Sequence, residues 1–266
     1  MSAVKFLTAL VLTVSLFHVV FSEHEVKGVC LGNERHKAKP SPEDDSYKGC
    51  RVFKNSSCCM SDFANQVAVP VVKGIGNFSW TLCGNLSRQC QEYMVGVECF
   101  YSCSPYVGLW AKPKDKTGFE NAPVCSGYCN DWYEACKDDF TCAKSWGSGF
   151  DYTSDGHNKC KRNCTTFKET YINGKDLCES MWGSSFKYTE DQDRCLHFRY
   201  NASHNPNKDV VQKIFGHSGS PTTTPATQGS TLGSTQSSTT DGSQSTRLSS
   251  LLVGLVLVLS FLRFFF

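Results

Sequence analysis

The 266 residues contain no His-Glu-x-x-His, no Gly-x-Ser-x-Gly and no Gly-rich phosphate loop, so the common zinc-hydrolase, serine-hydrolase and nucleotide-binding signatures are missing. Cys-x-x-Cys and His-x-x-x-His are also absent, which leaves a structural zinc ion without a ligand framework. Formal net charge is only +2, both signs are interspersed, and no basic stripe exists to follow a phosphate backbone, so nucleic acid is excluded as a partner. No repeat period is found. Long apolar runs occur only at the two ends of the chain. From Ser218 to Ser250 apolar residues nearly vanish in favour of Ser, Thr, Gly, Pro and Gln, a composition that cannot offset its own ordering entropy.

The ends read as processing signals. Lys5 precedes an apolar run from Phe6 to Phe21, and Val20 and Ser22 occupy the −3 and −1 positions of a cleavage site, so residues 1–22 are expected to be a secretory signal. The terminal run Leu251–Phe266 is shorter than the roughly 20 apolar residues of a spanning helix and carries Arg263. Small residues at Asp241-Gly242-Ser243, a polar spacer and an apolar tail form the pattern of a glycosylphosphatidylinositol (GPI) anchor signal. The tail 244–266 is expected to be removed and lipid attached within Ser237–Ser243. A Ser/Thr-rich stalk, 218–243, then joins the membrane to one globular domain, 23–217, long enough for a single core.

What the chain has in abundance is cysteine. Cys30, Cys50, Cys58, Cys59, Cys83, Cys90, Cys99, Cys103, Cys125, Cys129, Cys136, Cys142, Cys160, Cys164, Cys178 and Cys195 make an even set of sixteen, all within the globular part. In an exported chain this implies up to eight disulfides, of a connectivity the spacing does not reveal. An even count also leaves no free thiol for a cysteine nucleophile, and the carboxylates lie mostly in charge-mixed runs, so no enzyme and no catalytic cofactor is expected. Five Asn-x-Ser/Thr acceptors, at Asn55, Asn77, Asn85, Asn163 and Asn201, agree with export; Cys164 beside Asn163 competes for that site.

Three segments read as helices. In Asn121–Asp139, Asn121 is a cap and Pro123 suits a first turn, with Cys125, Cys129, Trp132 and Cys136 on one face. Leu86–Cys103 places Cys90, Met94, Val97 and Tyr101 on one face, and Cys99 and Cys103 on another. A third helix runs from about Cys58 to Ala68 and stops before Pro70. KGIGN and SWGSGFDYTSDG read as Gly-rich connectors, and RVFKN and SSFKYT as short extended pieces. The class is α+β, helix-dominated, small and disulfide-rich.

Aromatics are the remaining signal: Trp80, Trp110, Trp132, Trp146 and Trp182, several beside Cys or Gly. Each is an ordinary core residue on its own. A Gly directly after Trp146 and after Trp182 also clears one side of an indole for a stacked planar ligand.

The motifs ECFYSCSP (Glu98–Pro105), CNDWYEACKDDFTCAKSW (Cys129–Trp146) and CESMWGSSFKY (Cys178–Tyr188) resemble the folate receptor and riboflavin-binding protein family. HKAKPSPE (His36–Glu43) strengthens the likeness to the riboflavin branch, and cysteine order fits from Cys30 to Cys195. The resemblance implies a cross-linked, helix-rich globule with a ligand cleft in which riboflavin stacks between Tyr101 and Trp182. Trp110, Trp132 and Trp146 match family aromatics near or beneath the cleft, and Phe150 stands where the family has a further tryptophan. The pterin-binding Asp of folate receptors is replaced by Val97, and their tail-binding arginines by Lys112, Lys114 and Lys116, which disfavours folate. The acidic phosphorylated tract of soluble carriers is missing. The expected function is therefore capture or uptake of riboflavin at the outer face of the plasma membrane. A folate or pterin receptor, or a ligand-free surface interaction protein on the same fold, is the alternative.

Overall fold

The computed structural model describes residues 25–216, so the expected signal at 1–22, the expected stalk at 218–243 and the expected tail at 244–266 lie outside the described residues. Within them the class is α+β, with six helices and four two-stranded pairings. Helix α1 spans Ser61–Gln66, shorter than the expected Cys58–Ala68. Its would-be first turn is held elsewhere, because Cys58 is bonded to Cys30 and Cys59 to Cys103.

Helix α2, Arg88–Cys103, begins where the sequence suggests. The Ser87 side chain accepts the Cys90 N–H, satisfying one of the orphan donors of the first turn. Asp139 in turn accepts the Ser87 N–H and O–H at 3.0 and 2.7 Å, setting a negative charge at the positive end of the helix. Cys90, Met94 and Val97 form its buried stripe, and Tyr101 ends it, half-buried.

Helix α3, Ser126–Cys136, starts four residues later than a cap at Asn121 would give. Asn121 has φ +55°, outside the helical region. Ala122–Cys125 form a strand that pairs in parallel with Phe186–Thr189, in the register Ala122↔Phe186 to Cys125↔Thr189. Leu196 donates to the Pro123 carbonyl at 2.7 Å on the same strand, and Cys125 is bonded to Cys195. Long-range pairing has thus displaced one turn of local helix. The expected extended piece RVFKN is likewise a 3-10 turn, Arg51–Phe53, which buries the Phe53 ring. SSFKYT does contain an extended strand, Phe186–Thr189.

In chain order the strands are β1 (Gly74–Ile75), β2 (Phe78–Ser79), β3 (Ala122–Cys125), β4 (Phe140–Thr141), β5 (Phe150–Tyr152), β6 (Asn158–Cys160), β7 (Thr165–Thr166) and β8 (Phe186–Thr189). The two Gly-rich connectors are therefore partly hairpins, β1–β2 and β5–β6. Gly76 at φ +55° makes the first turn. The remaining helices are α4 (Phe167–Thr170), α5 (Gly174–Ser180) and α6 (Asn207–Phe215).

All sixteen cysteines pair, and no free thiol remains among them. Besides the three bonds above, Cys50 joins Cys99, Cys83 joins Cys164, Cys90 joins Cys136, Cys129 joins Cys178 and Cys142 joins Cys160. Helix α2 alone takes part in three, and α3 is tied to both α2 and α5. Around these staples the core is aromatic: Phe100 stacks on Phe198 at 4.3 Å, and Phe119 meets Phe186 edge-on at 5.2 Å.

The α3–α5 crossing depends on Gly174. A Cβ there would lie 2.6 Å from the Cys129 carbonyl oxygen and 2.7 Å from the Asn130 backbone. Gly174→Ala is expected to lower thermal stability by about 1–3 kcal/mol and to reduce secretion, since the backbones must separate beside a disulfide. Gly127→Ala on the open side of α3, where a Cβ meets nothing within 4 Å, should be neutral or stabilising by about 0.5–1 kcal/mol. Melting temperature and secreted yield of the two variants check this; equal effects would remove the close-approach explanation.

Candidate ligand-binding site

One cavity of about 290 Å³ lies at the meeting of five segments, at the lower edge of the roughly 300–1,000 Å³ common for small-molecule sites. The β1–β2 hairpin and the residue after it supply Ile75, Phe78 and Trp80. Helix α2 supplies Val97, Glu98 and Tyr101. A loop adds Gly118 and Phe119, and the turn into β8 adds Trp182, Ser185 and Phe186; Arg35 completes the lining. Positions 97, 98 and 101 share a helix face because residues three and four apart do. The parallel β3–β8 pair carries Phe186 to the same place.

Tyr101 is gripped from outside the cavity. Its hydroxyl donates to the Thr117 carbonyl at 3.2 Å and accepts from Asn33 Nδ2 at 3.4 Å. His36 meets its ring edge-on, centroids 5.4 Å apart, and Phe119 stacks beside it at 6.1 Å. His36 Nε2 lies 3.0 Å from the Tyr101 carbonyl, and Nδ1 lies 2.7 Å from Asn33 Oδ1, which also accepts the Arg35 N–H. Both ring nitrogens thus face acceptors, and a neutral imidazole can donate to only one of them. Burial nevertheless holds the His36 pKa below its ordinary value. Burial also raises the Tyr101 phenol.

Trp182 is held through its neighbours. The Met181 carbonyl accepts the Trp146 N–H at 2.6 Å, and Ser185 Oγ donates to the Trp182 carbonyl at 2.9 Å. Its ring packs against Phe78 at 6.1 Å and Trp146 at 6.0 Å. Gly183, at φ +62°, is required by left-handed backbone, a reason other than clearance beside the indole.

Of the six aromatics named from sequence, Tyr101 and Trp182 line the cavity, and the other four do not. Trp146 and Phe150 form a layer behind Phe78, at 5.8 and 5.4 Å from its ring, with the Trp146 indole donating to Thr141 Oγ1 at 3.1 Å. Trp132 is a core residue of α3, 1% exposed, packed against Tyr128. Trp110 packs on Phe215 of α6. Their Cys and Gly neighbours reflect stapling and turns rather than a site. Sequence reasoning missed Phe78, Phe119 and Phe186, and also Arg35 and Glu98. For Glu98 a signal existed, since it lies three residues before Tyr101 on the same helix. Lys112 does approach the lining, its side chain lying over Gly118.

Among the described residues, three sulfur-rich clusters, Cys83–Cys142–Cys160, Cys125–Cys195–His197 and Cys90–Cys136–Asp139, bring their ligand atoms within 4.8 Å. Every sulfur in them is disulfide-bonded and offers no thiolate to a metal. The side chains of Asn55, Asn77, Asn85, Asn163 and Asn201 are all exposed.

Glu98 is the titratable group of the cavity wall. Burial pushes its carboxyl up to about 7, against the opposing pull of Arg35. A carboxyl whose folded pKa lies above its unfolded 4.5 stabilises the fold fully below that pH, and the contribution is lost as pH rises through about 7. Glu98→Gln, which cannot ionise, should therefore gain in melting temperature relative to the parent by a few degrees between about pH 4.5 and pH 8. A pH-independent difference would place the carboxyl in solvent.

Residues 29–197, which hold every cysteine and every lining residue, match the profile of the folate receptor family. The chain is 43% identical over 167 residues to riboflavin-binding protein of Dromaius novaehollandiae, covering 62% of this chain and 69% of that protein. It is 40% identical over the same length to riboflavin-binding protein of Gallus gallus. With folate receptor gamma of Homo sapiens it shares 31% identity over 198 residues, 71% of this chain and 80% of that protein. The match encloses the staples and the cavity together, and on it the chain belongs to the folate receptor family.

Proposed function

We propose that this protein binds riboflavin at the cell surface, with the flavin ring stacked in the cavity on Tyr101 and Trp182. The observation carrying the reading is that these two aromatics, 81 positions apart in sequence, line the same cavity together with Phe78, Trp80, Phe119 and Phe186. A planar, largely apolar ring meets π faces there and a small polar set in Arg35, Glu98 and Ser185. The relatives named riboflavin-binding protein point the same way. Riboflavin has about 27 heavy atoms, and at about 0.3 kcal/mol per atom binding would be near micromolar. Tighter capture needs walls that lose little freedom on filling, which the disulfides of α2 and the hydrogen bonds on Tyr101 supply.

One observation favours a second reading, a folate or pterin receptor: although Val97 replaces a carboxylate, Glu98 brings one into the wall from the next position. Stacking quenches flavin emission, so titrating riboflavin and folate in parallel into the full-length protein separates the two. The expected outcome is stoichiometric quenching with riboflavin and no competition by folate. Tyr101→Ala and Trp182→Ala should each weaken riboflavin about 10- to 100-fold, the range of one lost aromatic stacking partner. Unchanged binding in both would remove them from the site.

An extracellular setting is supported by eight disulfides and by the folate receptors among its relatives. No helix among the described residues is long and apolar enough to cross a membrane. We assign residues 1–22 to an export signal, 23–217 to the ligand-binding domain, 218–243 to a stalk and 244–266 to a GPI signal, with glycans on the exposed sequons. Phosphatidylinositol-specific phospholipase C should then release the protein from intact cells. Retention after a treatment that releases a known anchored marker would instead favour an uncleaved C-terminal helix.

A further inference from the structure

The Glu98 carboxyl lines the cavity, and no hydrogen bond or ion pair within 4 Å joins it to any described residue. Its environment is apolar: Val97 precedes it, and Ile75, Phe78 and Phe119 share the wall. Glu98 is half-buried, and a carboxyl drawn partly out of water without a partner carries a cost that protein, water or ligand ordinarily offsets. Arg35 lines the same cavity and is the only described residue whose charge acts on Glu98, yet the two do not close into a salt bridge. Nor does the Arg35 guanidinium have another ion pair or hydrogen bond among the described residues. The cavity lining therefore offers one acceptor, Glu98, and one donor, the solvent-exposed Arg35, neither with a side-chain partner among the described residues.

Arg35 follows Asn33 and precedes His36, the two residues that hold the Tyr101 hydroxyl and carbonyl. Glu98 stands one helical turn before Tyr101. The open pair is thus attached at both ends to the machinery that fixes the stacking tyrosine, so a ring lying on Tyr101 meets it with one edge. The matching ligand edge has an N–H donor next to a carbonyl, the pattern of a cyclic imide or lactam. A simple carboxylate or phosphate ligand would meet Glu98 as a like charge.

We propose that Glu98 accepts the imide N–H of the bound ring while Arg35 donates to the adjacent carbonyl, making this pair the specificity determinant of the site. The inference rests on the reading of the cavity as a flavin site. It reaches further by fixing which edge of the ring is buried and which chain position reads it. In riboflavin the group is N3–H between the C2 and C4 carbonyls.

The test compares riboflavin with 3-methylriboflavin, which keeps the ring and both carbonyls and lacks the donor. The native full-length protein should bind riboflavin about 10- to 100-fold more tightly, the range of one hydrogen bond to a charged group. In Glu98→Leu, which keeps the bulk but not the acceptor, riboflavin should fall to the level of the methylated ligand. Arg35→Met should weaken both flavins alike, since both keep the carbonyls. Equal binding of the two flavins by the native protein overturns the proposal and leaves flavin stacking standing, as does discrimination that survives in Glu98→Leu, which would be steric. Unchanged affinity in Arg35→Met overturns the Arg35 contact. If the native protein quenches no riboflavin at all, the flavin reading itself falls and this one falls with it.

Discussion

Helix α2 is pinned covalently at three points, Cys90 to Cys136, Cys99 to Cys50 and Cys103 to Cys59, and the cavity-lining residues Val97, Glu98 and Tyr101 lie between or beside those pins. A sixteen-residue helix with one face on a cavity would ordinarily be free to slide or tilt into the space. Here translation and rotation are both blocked, because the three sulfurs point to different partners. The remaining walls are then arranged relative to this fixed rod. The β3–β8 pair brings Phe186 in, α3 is tied to α2, and α5 is tied to α3. Cross-linking thus does for the cavity what a large aliphatic core does in bigger domains: it keeps an empty, partly apolar space from collapsing.

The polar side of the site follows from the same geometry. Apolar walls raise the cost of every charge placed among them, and this is why the Glu98 carboxyl is pushed up while Arg35 pulls it back. His36 pays a related cost behind Tyr101, where it supports the ring through the backbone carbonyl without reaching the cavity lining. The Tyr101 ring and the Arg35 side of the cavity are positioned by the same short segment, Asn33–His36.

Much of this was legible in the sequence, for reasons that differ by residue. Ser87 and the stripe Cys90–Met94–Val97–Tyr101 define α2 because capping and 3.6-residue periodicity are local effects. Asn121–Cys125 misleads because its fate is decided by β8, more than sixty residues away, and propensity yields to that pairing. RVFKN misleads because Phe53 must turn inward toward the core. Tyr101 and Trp182 were identified through the motifs that carry them, whereas Trp132 and Trp110 look the same in sequence and differ only in which side of their element faces the cavity. Arg35 could not be found at all, since its segment has no regular period and reaches the site through a loop.

The β3–β8 pairing also sets an order of assembly. The chain is made from its N-terminus, so Tyr101 and Glu98 exist long before Trp182 and Phe186 emerge to cover them. Cys83–Cys164 and Cys129–Cys178 bridge the same interval, and neither can close until the later partner arrives. For most of its synthesis the half-built site is an open, aromatic-edged helix face with its thiols waiting. The cavity is accordingly one of the last features to come into being, and a chain that has one has already passed through nearly all of its oxidative folding.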